Sequence, residues 1–444
     1  MATTPLDLSA GEPARGSAMD DRIGQAGEVC AAGTPGCPAA NRGGILHHGA
    51  GDPTPLYAHL RACHPVFHDP LLDVWVVSRH QDVVRAFRDT PRDFTNQRTF
   101  EPLCPLAPQA QAVLAATAMA PAASSLDPPE HTRLRQTVNA AFPTTGRRVN
   151  GVDSLLQARA TAHATALAGR PSRGGDLVAD YARPLCLATL GHLTGVPDTH
   201  HPAIAAQAAA MTVLVADRLT PARQAEAAHA FSDLWAFCQT LVHDTPRLAP
   251  GSLLPTLLAH RPTNGAALTP DEAASVLMEM LITTAEVMPK LITNTLHRHL
   301  GPREHPERPQ PSGLRALHRT ELIDRAIADT LRHATPLIGW LRATTRPLHL
   351  ADTPVPAHAK LMLLLGSACQ DAPPTAPTPV FGAGIHYCPG ARYALRLTRH
   401  ALAALTRACP DLTLTEPVTH GPGSTTPWPL NALTRGPAQL SATW

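Results

Sequence analysis

The sequence predicts a mainly α chain with a small β region (α+β). Three observations carry this. Apolar residues recur at helical spacing over about 130–142, 152–169, 176–194, 202–217, 221–243, 252–260, 270–300, 320–334 and 391–408. One short β-rich run stands near the start, Val74 to Val77, and Pro-bounded strand-like pieces lie around 340–350 and 354–366. With 444 residues, 44% of them hydrophobic, the chain has ample material for a large core.

Taken in order, residues 1–50 are rich in Gly, Ala and Pro and read as a disordered or loosely attached leader, followed by one domain over 51–444. After Val74–Val77 comes a helical pattern at Gln81–Phe87. Residues 95–125, with prolines and small residues, read as irregular, and the long helical stretches follow with prolines in the loops between them. No internal repeat is visible.

Composition excludes several roles. The net charge is +2 and the pI is near 8.2, which argues against nucleic acid or an anionic membrane surface as a partner. No apolar run approaches the roughly 18 residues needed to cross a bilayer. The nine cysteines include no C-x-x-C pair, and an odd, scattered set implies reduced thiols and a cytoplasmic protein.

The most informative residue is Cys388, in Phe381-Gly382-Ala383-Gly384-Ile385-His386-Tyr387-Cys388-Pro389-Gly390. Glycines punctuate this loop, and a helical pattern follows it. A helix N-terminus presents free N–H groups and partial positive charge, which favour a thiolate able to act as nucleophile or metal ligand. The loop resembles the haem-binding signature of the cytochrome P-450 family, F-G-x-G-x-H-x-C-x-G, with all six fixed positions present. The resemblance implies the family's haem-thiolate fold, a haem b cofactor (iron protoporphyrin IX), and Cys388 as its axial iron ligand. Phe381, Gly382 and Gly390 shape that loop. A thiolate in that position pushes electron density onto the iron and favours O–O cleavage.

A second stretch, Asp127-Pro128-Pro129-Glu130-His131-Thr132-Arg133-Leu134-Arg135, carries helix-start signals and puts His131 and Arg135 on one helix face. Two donors on one face suit an anion. The stretch resembles the family's D-P-P-E-H-x-x-x-R helix, which implies that both residues bind haem propionates. By the same resemblance Arg342, in the strand after Pro336, and His386 complete the propionate contacts.

Two motifs depart from the family. Its E-x-x-R helix reads Asp329-Thr330-Leu331-Arg332 here, which keeps an i, i+3 pairing within reach of a shorter arm. Residues 347–391 contain no arginine, and Gly366 to Val380 is shorter than in the family, with Ala368-Cys369-Gln370-Asp371-Ala372 resembling the remnant of A-N-R-D-P. Arg332 therefore needs another partner, Asp371 or a backbone carbonyl.

The other departure touches mechanism. The family's distal helix reads A-G-x-D/E-T, and its acid and Thr relay protons to the oxygen being activated. The matching run here is Thr283-Thr284-Ala285-Glu286-Val287. Glu286 keeps the acid, whereas Val287 has no hydroxyl and cannot be a proton donor. Pro289 lacks an N–H, which frees the Ala285 carbonyl and predicts a kink. The apolar residues Phe100, Leu103, Met119, Met211, Leu214, Met280, Trp340 and Trp428 are candidates for a substrate pocket or for plain core.

Three function classes follow. The first is a haem-thiolate monooxygenase that oxidises a small molecule in bacterial secondary metabolism, such as antibiotic biosynthesis. Its electrons come from a ferredoxin and ferredoxin reductase, and Glu286 with Thr283 or Thr284 manages protons. Its proximal face near Arg392, Arg396 and Arg399 reads either as a surface for an acidic partner or as a solvated helix face. The second is a haem-thiolate enzyme that does not activate O2, working by nitrene or oxene transfer, dehydration or isomerisation. The third is a non-catalytic partner protein, a class whose family members tend to lack the cysteine that this chain keeps.

Overall fold

A 31-residue helix, Pro270–Leu300, runs through the protein and organises the rest. At 1.5 Å per residue it is about 46 Å long. Its start follows a full capping box: Thr269 and Glu272 hydrogen-bond reciprocally at 3.2 and 2.9 Å, with Pro270 in the first turn. Its first half (Ala273, Leu277, Met278, Leu281) sits in one core with Leu134, Leu190, Trp235 and Leu254. Its second half (Leu291, Ile292, Leu296) sits in another with Tyr181, Ile327, Leu397 and Leu405. Each fully buried Leu or Ile contributes roughly 1.5–3 kcal/mol.

This computed structural model describes residue 45 and residues 52–142, 146–244, 253–263, 265–301, 313–415 and 431–444. Apart from Ile45, the expected leader lies outside the described residues, as does Trp428. The expected long helices are present as Glu130–Ala141, Gly146–Ala168, Arg183–Thr194, His201–Ala216, Pro221–His243, Leu253–Ala259, Thr320–His333 and Ala391–Ala408. Residues 95–125 are not wholly irregular, because Pro108–Thr117 is helical. Thr54–Cys63 and Leu365–Asp371 are also helices. The helix at Pro289 is continuous, and that proline is buried within it.

The strands are β1 (Val66–Asp69), β2 (Val74–Val77), β3 (Phe94–Thr95), β4 (Gly174–Asp176), β5 (Trp340–Thr344), β6 (Leu348–Leu350), β7 (Thr353–Val355), β8 (Lys360–Leu363), β9 (Thr413–Leu414) and β10 (Ser441–Thr443). The main sheet has the order β1-β2-β8-β5-β3. Within it, β2 and β8 pair in parallel and the other neighbours are antiparallel. This sheet carries Arg342 on β5, opposite Leu361 of β8.

The Asp329–Arg332 pair does not form. Asp329 accepts two hydrogen bonds from Arg298 of the long helix, one of them at 3.1 Å, and lies 3.6 and 3.8 Å from His299 and His333. The short aspartate arm reaches the helix packed beside it more readily than the next turn of its own. Arg332 instead donates to the carbonyls of Ala372 and Pro373. Asp371 is engaged elsewhere, accepting from the His80 amide at 2.8 Å and lying 3.7 Å from Arg61.

This arrangement has a measurable consequence. Asp329→Ala and Arg298→Ala should each destabilise the protein by about 1–3 kcal/mol, the cost of stranding a partly buried polar group. The double variant should cost far less than the sum, whereas Asp329→Ala with Arg332→Ala should be additive. Thermal or denaturant unfolding of the variants measures this.

Candidate active site

The cysteine loop is held by backbone geometry. Short 3-10 turns at Pro379–Phe381 and Gly384–His386 reverse the chain, and the Cys388 amide donates to the Phe381 carbonyl at 2.8 Å. Gly382 and Gly384 take φ values of 72° and 67°, the left-handed region that favours glycine. At Gly384 a Cβ would also stand 3.0 Å from the Phe87 carbonyl oxygen. Gly390 has ordinary backbone and caps the helix Ala391–Ala408. A Cβ there would lie 3.9 Å from the Cys388 sulfur, taking up space beside it.

The helix terminus alone does not ionise Cys388. Burial pushes its thiol up, and this outweighs the amides of Gly390 and Ala391 and the Arg135 guanidinium, all of which pull it down. Terminal helix charge contributes only about 0.3–1 kcal/mol at an exposed site, less than the cost of burying a thiolate. The sulfur therefore needs a stronger cation to lose its proton, and a metal centre is one.

A cluster of cations and imidazoles surrounds it. Asp127 precedes the helix Glu130–Ala141, and its carboxylate accepts from the Thr95 hydroxyl and, at 3.1 and 2.9 Å, from the Asn96 amide and side chain. Asn96 also meets His386 Nε2 at 2.8 Å. His131 stacks on His386 with ring centroids 3.9 Å apart. One turn on, Arg135 donates to the Tyr387 carbonyl, next to Cys388 in the chain, and to Asn139 at 2.9 Å. Arg133, on the same helix, binds Glu272 at the start of the long helix.

Arg342 is 1% exposed. One of its terminal nitrogens donates to Thr99 Oγ1 at 3.2 Å and to the Leu341 carbonyl at 2.9 Å, while its Nε has no partner. The guanidinium sits over the Phe87 and Trp340 rings at 5.0 and 5.8 Å. Burial pulls its pKa down to about 9, partly opposed by Asp127. His131 is buried with both ring nitrogens unpartnered, and burial together with Arg135 lowers its pKa to about 4. His386 is depressed further by burial and by His131.

Buried charges are normally paired. Here Arg342 and Arg135 lack any ion pair with a carboxylate within 4 Å among the described residues, and the His131 nitrogens beside them have no partner. This set fits a haem. Its two carboxylates would be held by His131, Arg135, Arg342 and His386, and Cys388 supplies the sulfur.

The distal-helix candidates are placed less simply. Glu286 is buried and ion-paired with Lys290 at 2.8 Å, with Arg183 at 3.9 Å. Thr283 is exposed, and its hydroxyl donates back to the Glu279 and Met280 carbonyls at 2.9 and 3.2 Å. Thr284 is buried. Val287 is half-buried, one helical turn from Thr283 on the same face.

Of the pocket candidates, Leu103 and Leu214 are buried core, while Met119, Met211 and Met280 are partly buried. Phe100 meets Trp340 edge-on at 6.5 Å. On the helix Ala391–Ala408 that follows the cysteine loop, Arg396 and Arg399 are engaged with Asp153 and Asp324 at 3.6 and 2.6 Å. Nothing in the sequence marked out Asn96, Thr99 or Lys290.

No family model matches the chain. It is 30% identical over 428 residues to the cytochrome P450 monooxygenase PikC of Streptomyces venezuelae, covering 92% of this chain and 94% of that protein. It is 31% identical over 380 residues to the vitamin D(3) 25-hydroxylase of Pseudonocardia autotrophica, covering 82% and 88%. Among solved structures, cytochrome P450 CREJ in complex with (4-ethylphenyl) dihydrogen phosphate superposes with a TM-score of 0.77 at 25% identity, covering 90% of this chain and all of that one.

Two outcomes are expected. Arg342→Met should weaken haem retention, measured as transfer to apomyoglobin. In the haem-free chain it should leave stability unchanged or raise it by up to about 4 kcal/mol, since an unpaired buried cation is removed. The second concerns pH. Unfolded, His131 takes a proton near 6.5, whereas folded it resists until about 4. The haem-free protein therefore loses stability as pH falls from 6.5 towards 4, and His131→Phe should flatten that loss in pH-dependent melts.

Proposed function

Since the chain belongs to the cytochrome P450 family, with that family's mainly α fold and its oxidoreductase activity, we propose that it is a haem b monooxygenase that oxidises a small molecule in bacterial secondary metabolism. In this reading Cys388 is the axial ligand. His131, Arg135, Arg342 and His386 anchor the propionates. A ferredoxin and its reductase deliver electrons. The observation that carries the reading is a half-buried cysteine set beside cations that no carboxylate pairs among the described residues, the buried Arg342 and the half-buried Arg135. Among the described residues no helix is long and apolar enough to cross a membrane.

When bound, the haem supplies reductive activation of O2. The chain's own residues hold it, exclude water and manage protons. Proton management departs from the family pattern. Val287 carries no hydroxyl, and Glu286 is locked by Lys290 and Arg183. Thr283, exposed and one turn from Val287, is the nearest hydroxyl on that face. Its proton is committed to helix carbonyls, so its oxygen serves as an acceptor that orders water.

The same two observations favour a second reading, haem chemistry on a substrate that already carries an activated N–O or O–O bond, with no O2 needed. Both readings use the same cysteine, and oxygen dependence separates them.

In the reduced state, carbon monoxide should give the red-shifted band of a thiolate-ligated haem, and Cys388→Ser should abolish it. Product formed without O2 and reductant would overturn monooxygenation in favour of the second reading. If proton delivery limits O2 use, Val287→Thr should raise coupled turnover roughly tenfold or more, as expected for a restored positioned proton donor. An unchanged ratio of product to reductant consumed would show that the hydroxyl is not limiting.

A further inference from the structure

A second donor stands beside Arg342 on β5. Successive side chains of a strand point to opposite faces, so Trp340 and Arg342 share one side of the main sheet and Leu341 takes the other. The packing agrees. Leu341 sits in the core with Val74, Val76 and Met362, whereas Trp340 packs against the cluster that holds Phe87 and Leu363. The Arg342 guanidinium lies over both rings, 5.8 Å from that of Trp340 and 5.0 Å from that of Phe87. Phe87 in turn borders the cysteine loop, since its carbonyl oxygen would stand 3.0 Å from a Cβ on Gly384. Thr99 accepts from Arg342, and the next residue, Phe100, meets the Trp340 ring edge-on at 6.5 Å. Contacts from three segments thus place Trp340 among the groups that surround Cys388.

The ring of Trp340 is half-buried, but its indole nitrogen is fully buried and has no hydrogen-bond partner. A buried Trp N–H usually finds an acceptor, and an orphaned one is destabilising. The edge-on Phe100 ring gives it only a weak contact. Trp444 also has an unpartnered indole nitrogen, but Trp340 differs in its company. Two residues along the same strand face, the Nε of Arg342 is buried and unpartnered as well. The polar groups nearest that guanidinium, the Thr99 hydroxyl and the Leu341 carbonyl, already accept from its terminal nitrogen. Two orphaned donors side by side on one strand call for an acceptor that the chain does not supply.

We propose, on the haem-thiolate reading above, that Trp340 is a further cofactor-binding residue whose indole N–H donates to the haem carboxylate held by Arg342. One carboxylate has two oxygens, enough for both orphaned donors. A hydrogen bond to a charged acceptor is roughly twice as strong as one between neutral groups. The guanidinium above the ring and Phe100 at its edge hold the indole in place before any ligand arrives. Phe87, the other ring beneath Arg342, has no polar atom and offers only stacking. An acceptor on a substrate would satisfy the same N–H, and haem release distinguishes the two.

The test follows haem transfer to apomyoglobin from the full-length protein, loaded either with haem b or with its dimethyl ester, which lacks the carboxylate charges. Trp340→Phe keeps an aromatic ring over Arg342 and removes the N–H. With haem b the variant should release its cofactor at least about tenfold faster than the wild type, a difference of about 1.4 kcal/mol. With the dimethyl ester the two proteins should differ by less than about threefold, because the charged acceptor is gone. Comparing the two ratios separates the N–H from packing, which the substitution changes equally for both cofactors. Trp340→Leu takes the same place in the cycle if the phenylalanine variant does not fold. Equal release of haem b from variant and wild type overturns the proposal and leaves the N–H to a substrate. Release that is faster by the same factor with both cofactors also overturns it, since lost packing then accounts for the change. The carbon monoxide band, recorded on the same samples, reports separately on the haem-thiolate reading. An intact band with no carboxylate-dependent difference sinks Trp340's role alone.

Discussion

The structure turns on an imbalance of buried charge. Arg342 lies on β5, an interior strand of the main sheet, at 1% exposure, and no carboxylate is paired with it among the described residues. A guanidinium in that position is destabilising unless an anion completes it. The fold devotes several elements to keeping it there. Thr99 and the Leu341 carbonyl take one terminal nitrogen, and the Phe87 and Trp340 rings flank the plane. Behind His131 and His386, Asp127 and Asn96 lock the approach of the helix to the cysteine loop. These supports orient donors toward a shared space, and no apolar core would require them. A site preorganised for anions at a cost to the empty chain is what a dicarboxylate cofactor offsets on binding.

The long helix performs two tasks that pull in different directions. Its ends are buried in two separate cores, which fixes its position. Its middle leaves one face accessible, along which Glu279, Thr283 and Val287 follow one another at helical spacing. Glu286 is turned toward Lys290 and Arg183. An i, i+4 Glu–Lys pair stabilises a helix by only a few tenths of a kcal/mol at the surface, but here both partners are mostly buried. Freeing Glu286 for proton transfer means breaking a desolvated pair, which raises the cost of routing protons through it.

What was legible in the sequence was local. The cysteine loop is ten consecutive residues, and His131 with Arg135 needs only the helical repeat. The long helices announced themselves because their apolar stripes face cores. The helix Pro108–Thr117 did not, since Ala- and Gln-rich PQAQAVLAAT has almost no apolar stripe and buries only Ala110. Contacts across the chain were invisible. Asp329 finds Arg298 across 31 positions, although Arg332 is its near neighbour on the same helix. Asn96 couples to His386 across 290 positions with no spacing to betray it. Helix-terminus electrostatics also misled for Cys388, because burial is a tertiary property that a loop sequence does not reveal.

The shortened stretch before the cysteine loop shows why such a departure can be tolerated. An Arg stripped of its charged partner inside a fold is left an uncompensated cation, and Arg332 is half-buried. Arg332 avoids this because it uses carbonyls of Ala372 and Pro373, acceptors the backbone supplies whatever the local side chains are. The aspartate that might have paired with it is satisfied by Arg298 instead. Both charges thus stay partnered although the i, i+3 link between them is gone. The helix Leu365–Asp371 then carries the chain directly from β8 toward Pro379. The constraint that survives is on carbonyl placement, not on sequence, which is why residues 347–391 can dispense with arginine entirely.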